Sequence, residues 1–243
     1  MKKILSLLVA VIFILSLSMN AIANSVTYTP FSNYEPGTYT LSTKEYPQQI
    51  AEDIEKSQMI ATDLTTSAES TVNVIIDNVI LNKGKDIDTI TVNLHAFGTE
   101  NIKTTDPPSI RGGGSYWDID PGYVVRVDLS VIFDSSMTTQ GNASWKLTNV
   151  SGSYTLIDKT FTVSGGYSNA KAYSSTPYFS EFKNAVNFIG STLSYTTGFS
   201  KYVDTTCPFA GIAATADVTV SRGSNRYNYE LVYYVLNNGG WVW

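Results

Sequence analysis

Residues 123–133 read YVVRVDLSVIF. In an extended chain Val125, Val127, Leu129, Val131 and Phe133 fall on one side, and Arg126, Asp128 and Ser130 on the other. A run this long and this regular reads as a strand with one face in a core and one toward water. Such a strand needs partners, and the chain supplies them. TITVNLHAF, 89–97, alternates in the same way, and TVNVIIDNVIL, 71–81, is β-branched and apolar. NKGKD lies between those two as a turn, which predicts an antiparallel hairpin. ASWKLTNV and SYTLIDKTFTV follow, with Ser151-Gly152 expected to join them. Near the end, Ala216, Val218 and Val220 alternate with Asp217, Thr219 and Ser221. Arg222 to Asn225 make a turn, and Tyr227, Tyr229, Leu231, Tyr233 and Val235 share the next face. Short strands with a turn every ten residues or so predict a mainly β chain folded as an antiparallel β-sandwich.

Two segments read as short helices. From about 46 to 58, YPQQIAEDIEKSQ has Pro at its start, good helix formers after it, and Ile50 and Ile54 on one face. From about 177 to 189, Tyr178, Phe179, Phe182, Ala185, Val186 and Ile189 draw one stripe at helical spacing. Thr176 suits an N-cap, Pro177 the first helical position and Gly190 the exit. Before the first helix, EPGTYTLS sets a Pro-Gly turn ahead of a short strand.

The N-terminus speaks to location. Lys2 and Lys3, an apolar run from Ile4 to Leu17, and Ala21-Ile22-Ala23 together read as a secretory signal-peptide helix cleaved after Ala23. The run is short for a membrane span, which takes about 20 residues. No cysteine follows it to take a lipid anchor, and NNGGWVW at the C-terminus carries no sorting pattern. The expected organisation is a signal peptide at 1–23, an extended lead-in with the short helix at 24–68, and the β-sandwich domain at 69–243. The mature chain is expected to be secreted, without a membrane span.

Losing Lys2 and Lys3 leaves 14 basic against 21 acidic side chains, taking the charge from −5 to −7. The excess acid lies between Asn24 and Ile110. That speaks against nucleic acid or anionic lipid as a partner, because both reward a basic face. One cysteine, Cys207, permits no internal disulfide.

From Trp145 through SGSY at 151–154, YTTGFSKYV at 195–203, Gly211 and VTVSRGS at 218–224, the sequence resembles a family of small secreted proteins of unknown function from Gram-positive bacteria. The resemblance covers about residues 123–236 and implies a β fold. It implies no activity.

Candidate chemistry is sparse. His95, the single histidine, sits with Thr91 and Asn93 on the polar side of its strand, as an exposed surface residue would. Cys207 is followed by Pro208 and opens no helix, so it reads as a small buried side chain, not an activated thiol. Nothing local supports a Cys207–His95 dyad; a serine triad would have to use His95, and no G-x-S-x-G elbow is present; one His and one Cys are too few for a zinc site. The best candidate ligand site is GGGSYWDIDPGY, 112–123. There Tyr116, Trp117 and Tyr123 surround Asp118 and Asp120. Rings can stack on a sugar, and carboxylates can accept its hydroxyls or offer oxygens to calcium. The competing reading is a connector with Trp117 in the core and Pro121-Gly122 as a turn. Asp86 and Asp88 are a weaker pair.

No catalytic set, no resident cofactor and a Tyr-rich composition favour a non-catalytic extracellular domain that binds a glycan, a wall polymer or a protein. A carboxylate-dependent hydrolase is the alternative, and a β-pore-forming toxin a more distant one. A binder needs exposed aromatics on one face; an enzyme needs two carboxylates facing a cleft.

Overall fold

The computed structural model describes residues 31–100 and 122–239. Thirteen strands and one α-helix are present among them. The strands are β1 (Gly37–Leu41), β2 (Gln58–Asp63), β3 (Ala68–Asn73), β4 (Ile75–Lys83), β5 (Asp88–Thr99), β6 (Tyr123–Met137) and β7 (Ala143–Leu156). They continue with β8 (Thr162–Ser175), β9 (Tyr178–Asn187), β10 (Thr192–Thr196), β11 (Val203–Asp204), β12 (Ala210–Arg222) and β13 (Asn225–Asn238). The helix, α1, is Gln48–Lys56.

Two antiparallel sheets pack face to face, as the alternating strands predict. The first runs β1-β4-β5-β6-β7-β10, with β11 also on β7; the second runs β3-β2-β13-β12-β8-β9. β6 lies deep in the first sheet, and each of its expected inner residues, Val125 through Phe133, is buried. Phe133 packs on the fully buried Trp145 at 5.3 Å. Tyr227, Tyr229, Leu231 and Tyr233 face them from β13. A register shift opposite Ile212 and Ala213 then interrupts the alternation before Val235.

Helix α1 forms where the sequence places it. Ile50 is buried and Ile54 packs partly against the core. The buried Asp53 fastens α1 to β13. Its carboxylate accepts from Asn237 N at 3.2 Å, from Gln49 Nε2 at 2.8 Å and from Lys56 Nζ at 3.1 Å. Ser57 Oγ accepts from Tyr234 N at 3.0 Å, serving a backbone donor just past the last β2 pairing at Val232.

The segment 177–189 corrects the helix expectation. Residues 178–187 are β9, paired with β8 from Tyr178↔Ser175 to Asn187↔Tyr167. Thr176 and Pro177 form the hairpin turn, not a helix start. The physical reason is the row of backbone groups on β8, which needs partners. Aromatic residues sit well on a pleated surface, so the local sequence does not resist. Phe179 packs against the core while Tyr178 and Phe182 face outward. Glu181, in register with inner-face Ala172, accepts from Ser200 N at 3.1 Å, Ser200 Oγ at 2.7 Å and Lys201 N at 3.2 Å. Ala185, with φ +43°, lies where an extra residue shifts the β8–β9 register.

Two joints also differ from expectation. Ser151-Gly152 is no turn; β7 runs straight through it, and the chain reverses at 157–161. A Cβ on Gly152 would stand 3.0 Å from the Asp128 carbonyl, so glycine here admits a neighbouring strand. The run 71–81 is divided at Val74, with β3 in the second sheet and β4 in the first. The predicted hairpin survives as β4 and β5.

Candidate functional site

Of the sequence-predicted loop, Tyr116, Trp117, Asp118 and Asp120 lie outside the described residues, and so does any calcium site made by Asp118 and Asp120. Tyr123 opens β6, is buried, and stacks against Phe97 with ring centroids 4.9 Å apart.

His95 is not the exposed side chain its register suggests. It lies on the outer face of the first sheet but is only 8 % exposed. Asp77 is the extra residue of a bulge between Ile76 and Asn78 opposite β5, and bulges re-aim side chains. Its Oδ1 stands 2.9 Å from His95 Nδ1. Arg126 and Asp128, paired at 2.6 Å, close the group from β6, and Phe97 stacks edge-on at 5.1 Å. Asp77, His95 and Asp128 could offer ligand atoms within 4.8 Å of one another. Each carboxylate is already engaged, and the Arg126 guanidinium occupies the place a cation would want.

Cys207 belongs to the core cluster. Its Sγ has Ser175 Oγ at 3.5 Å and Ser174 Oγ at 3.6 Å. Burial alone would push the thiol up; the two hydroxyls and nearby backbone bring it down to about 7. Its place inside the sandwich separates it from His95, so the two form no dyad.

The outer face of the second sheet is the face with exposed rings. Along β8, Ser168, Ala170, Ala172 and Ser174 turn inward and are buried, leaving Tyr167, Asn169, Lys171 and Tyr173 outward. β9 adds Tyr178, Ser180 and Phe182 on the same side, opposite Ser175, Tyr173 and Lys171. Tyr178 is 78 % exposed, Phe182 47 % and Tyr167 40 %. Tyr173 and Tyr178 meet edge to face at 6.1 Å. The rings therefore climb the hairpin as a ladder: Tyr178, Tyr173 and Phe182 at successive rows, each roughly 7 Å from the next, then Tyr167 two rows on. Exposed Phe209, whose carbonyl accepts from Ser175 N, stands at the Tyr178 end.

Beside the ladder lies a pair of carboxyls. Tyr167 is the cross-strand partner of Asp217, and Asp217 of Glu230. Asp217 is 3 % exposed, and its Oδ2 accepts from Thr215 Oγ1 at 3.0 Å. Burial, and then the charge of Glu230, push its carboxyl up to about 7. Burial and Glu69 raise Glu230 as well.

The sequence does not point to this face, because Tyr178 and Phe182 also fit a helical stripe and Tyr167 and Tyr173 meet them only through the β8–β9 pairing. A partial signal is present in SGGYSNAKAYSS, where tiny residues alternate with Tyr, Asn and Lys. Among the described residues no helix is long and apolar enough to cross a membrane. Compared with known proteins, the chain matches no family model, no curated protein and no solved structure.

Proposed function

We propose that this protein is a secreted, non-catalytic β-sandwich that binds a glycan along the outer face of β8 and β9. The observation that carries this reading is the ladder of Tyr178, Phe182 and Tyr167, exposed on one face, with the half-buried Tyr173 among them. Flat rings set along one strand direction suit a linear polymer of sugar rings, whose C–H faces stack on aromatics. Asn169, Lys171, Ser180 and Asn187 lie between and beside the rings and supply donors and acceptors for hydroxyls. The strands are held from beneath by the core, so the platform is rigid before a ligand arrives, which lowers the ordering cost of binding. Secretion is supported by the signal-like residues 1–23.

A hydrolase would draw on Asp217 and Glu230. They stand side by side on one sheet surface and not on opposite walls of a cleft, which favours binding over bond cleavage. The test is a panel of wall polymers and oligosaccharides offered to the mature protein and to a Tyr173→Ala/Phe182→Ala variant. The expected result is retention of one polymer class by the parent and a loss of about tenfold or more in the variant, with circular dichroism unchanged. Equal retention by both proteins overturns the reading, as does ready lysis of liposomes or turnover of a bound glycan.

A further inference from the structure

The ladder and the carboxyl pair share one row of cross-strand partners, Asn187, Tyr167, Asp217 and Glu230. Resting on the glycan-binding reading above, we infer that the glycan held on this face carries free amino groups, as an N-deacetylated amino-sugar polymer does, with its ammonium groups over Asp217 and Glu230 and its rings on Tyr167, Phe182, Tyr173 and Tyr178.

Charge complementarity carries the inference. Two carboxyls placed directly opposite each other on adjacent strands repel when both are ionised. Among the described residues neither Asp217 nor Glu230 takes part in an ion pair, and the hydrogen bonds to Asp217 come from the neutral Thr215 and Asn228. The groups that share this face include Glu69 on β3, Arg226, Asn228 and Tyr234 on β13, Tyr167 and Lys171 on β8, and Thr62 on β2, with Asn228 hydrogen-bonded to Asp217. Glu69 adds to the repulsion, and Arg226 lies two rows away from Asp217, opposite Ser221. The free protein thus meets the repulsion by keeping a proton on the pair, as the raised Asp217 and Glu230 indicate. A ligand ammonium set over the pair replaces that proton. Both carboxyls then ionise against a real counter-charge, next to the electron-rich face of Tyr167. A neutral glycan can stack on the rings but leaves the pair uncompensated, and a sulfated or phosphorylated one is repelled by it.

The test uses the mature chain with a glucosamine hexamer and an N-acetylglucosamine hexamer, by titration calorimetry at pH 5.5, where the sugar amines are charged. Two buffers of different ionisation enthalpy report protons released on binding. The expected result is tighter binding of the amino form by about tenfold or more, with proton release that the acetylated form does not show. Glu230→Gln, and separately Asp217→Asn, should remove most of the preference and of the proton release while leaving stacking-dependent binding of the neutral oligomer. Tyr173→Ala/Phe182→Ala should weaken both oligomers alike. Equal affinity for the two oligomers, or amino-sugar binding without proton release, overturns the inference and leaves the glycan reading standing. If no oligosaccharide binds, or only a lysine-rich peptide does, the glycan reading falls with it.

Discussion

Asp77 and His95 are joined across a bulge, with Oδ1 2.9 Å from Nδ1, although 17 residues of chain lie between them. The contact orients the imidazole against Phe97 and beside Arg126. It holds two strands in register at the point where their ladder is offset. Asp77→Ala should therefore cost stability, by roughly 1 kcal/mol, since Asp77 is partly exposed and solvent screens the pair. Urea denaturation measures it. Neither Asp77→Ala nor His95→Ala should alter ligand retention. A large loss of retention with the fold intact would move the functional site to the first sheet.

Asp217 should make stability depend on pH. Its folded value, about 7, lies above its ordinary 3.8, so between those limits the folded chain holds a proton that the unfolded chain has released. The stabilisation is complete below about pH 4 and is lost as pH rises through 7. Asp217→Asn should match the parent near pH 4 and exceed it at pH 8 by roughly 1–3 kcal/mol. Thermal melts at the two pH values decide this, and a variant less stable at pH 8 would contradict it.

Asp53 is the fastening of α1. Removing its carboxylate leaves the Asn237 amide and the Gln49 and Lys56 donors without their acceptor. Asp53→Ala should cost roughly 2–3 kcal/mol. Hydrogen exchange should show faster exchange across Gln48–Lys56 and the end of β13, while β5 and β6 stay protected.

Gly98 lies under the Tyr229 ring. A Cβ there would stand 2.5 Å from the ring carbons, and Tyr229 is held in place by its hydroxyl, which donates to the Thr99 carbonyl at 3.1 Å. Gly98→Ala should destabilise by roughly 1–3 kcal/mol through overpacking. Pairing it with Tyr229→Phe should recover little, because the clash is with the ring and not with the hydroxyl.

The sequence made β6 legible because one periodicity fits it and no other. Its inner residues are the buried ones, but that β5 and β7 flank it is not written in the alternation and emerges only from the pairing. β9 was not legible, because YFSEFKNAVN satisfies two periods at once. Tyr178 and Phe182 are four apart, as on a helix, and also an even number apart, as on a strand. What decides is the open side of β8, which is not local information. The same limit hides the proposed binding face. Tyr167, Asp217 and Glu230 become neighbours only once three strands have found their register. His95 was placed on the correct side of its strand, but its burial depends on a bulge in β4 that no residue pattern announces. Gly152 was misread because Ser-Gly is an ordinary turn dipeptide, and only a neighbouring strand reveals its other use.

Glu181 has a consequence beyond tying β9 to Ser200 and Lys201. β9 ends its sheet, and a terminal strand that displays Tyr178 and Phe182 is a hazard, since a second molecule could continue the ladder and seed fibrils. Charged residues directed to the inner side of such a strand, together with a kink in it, discourage that addition. Glu181 and Lys183 fall in register with inner-face Ala172 and Ala170, and the irregularity at Ala185 bends the strand beyond them. The protein can thus keep Tyr178 and Phe182 exposed on its outer face without offering the strand edge beside them as a template for copies of itself.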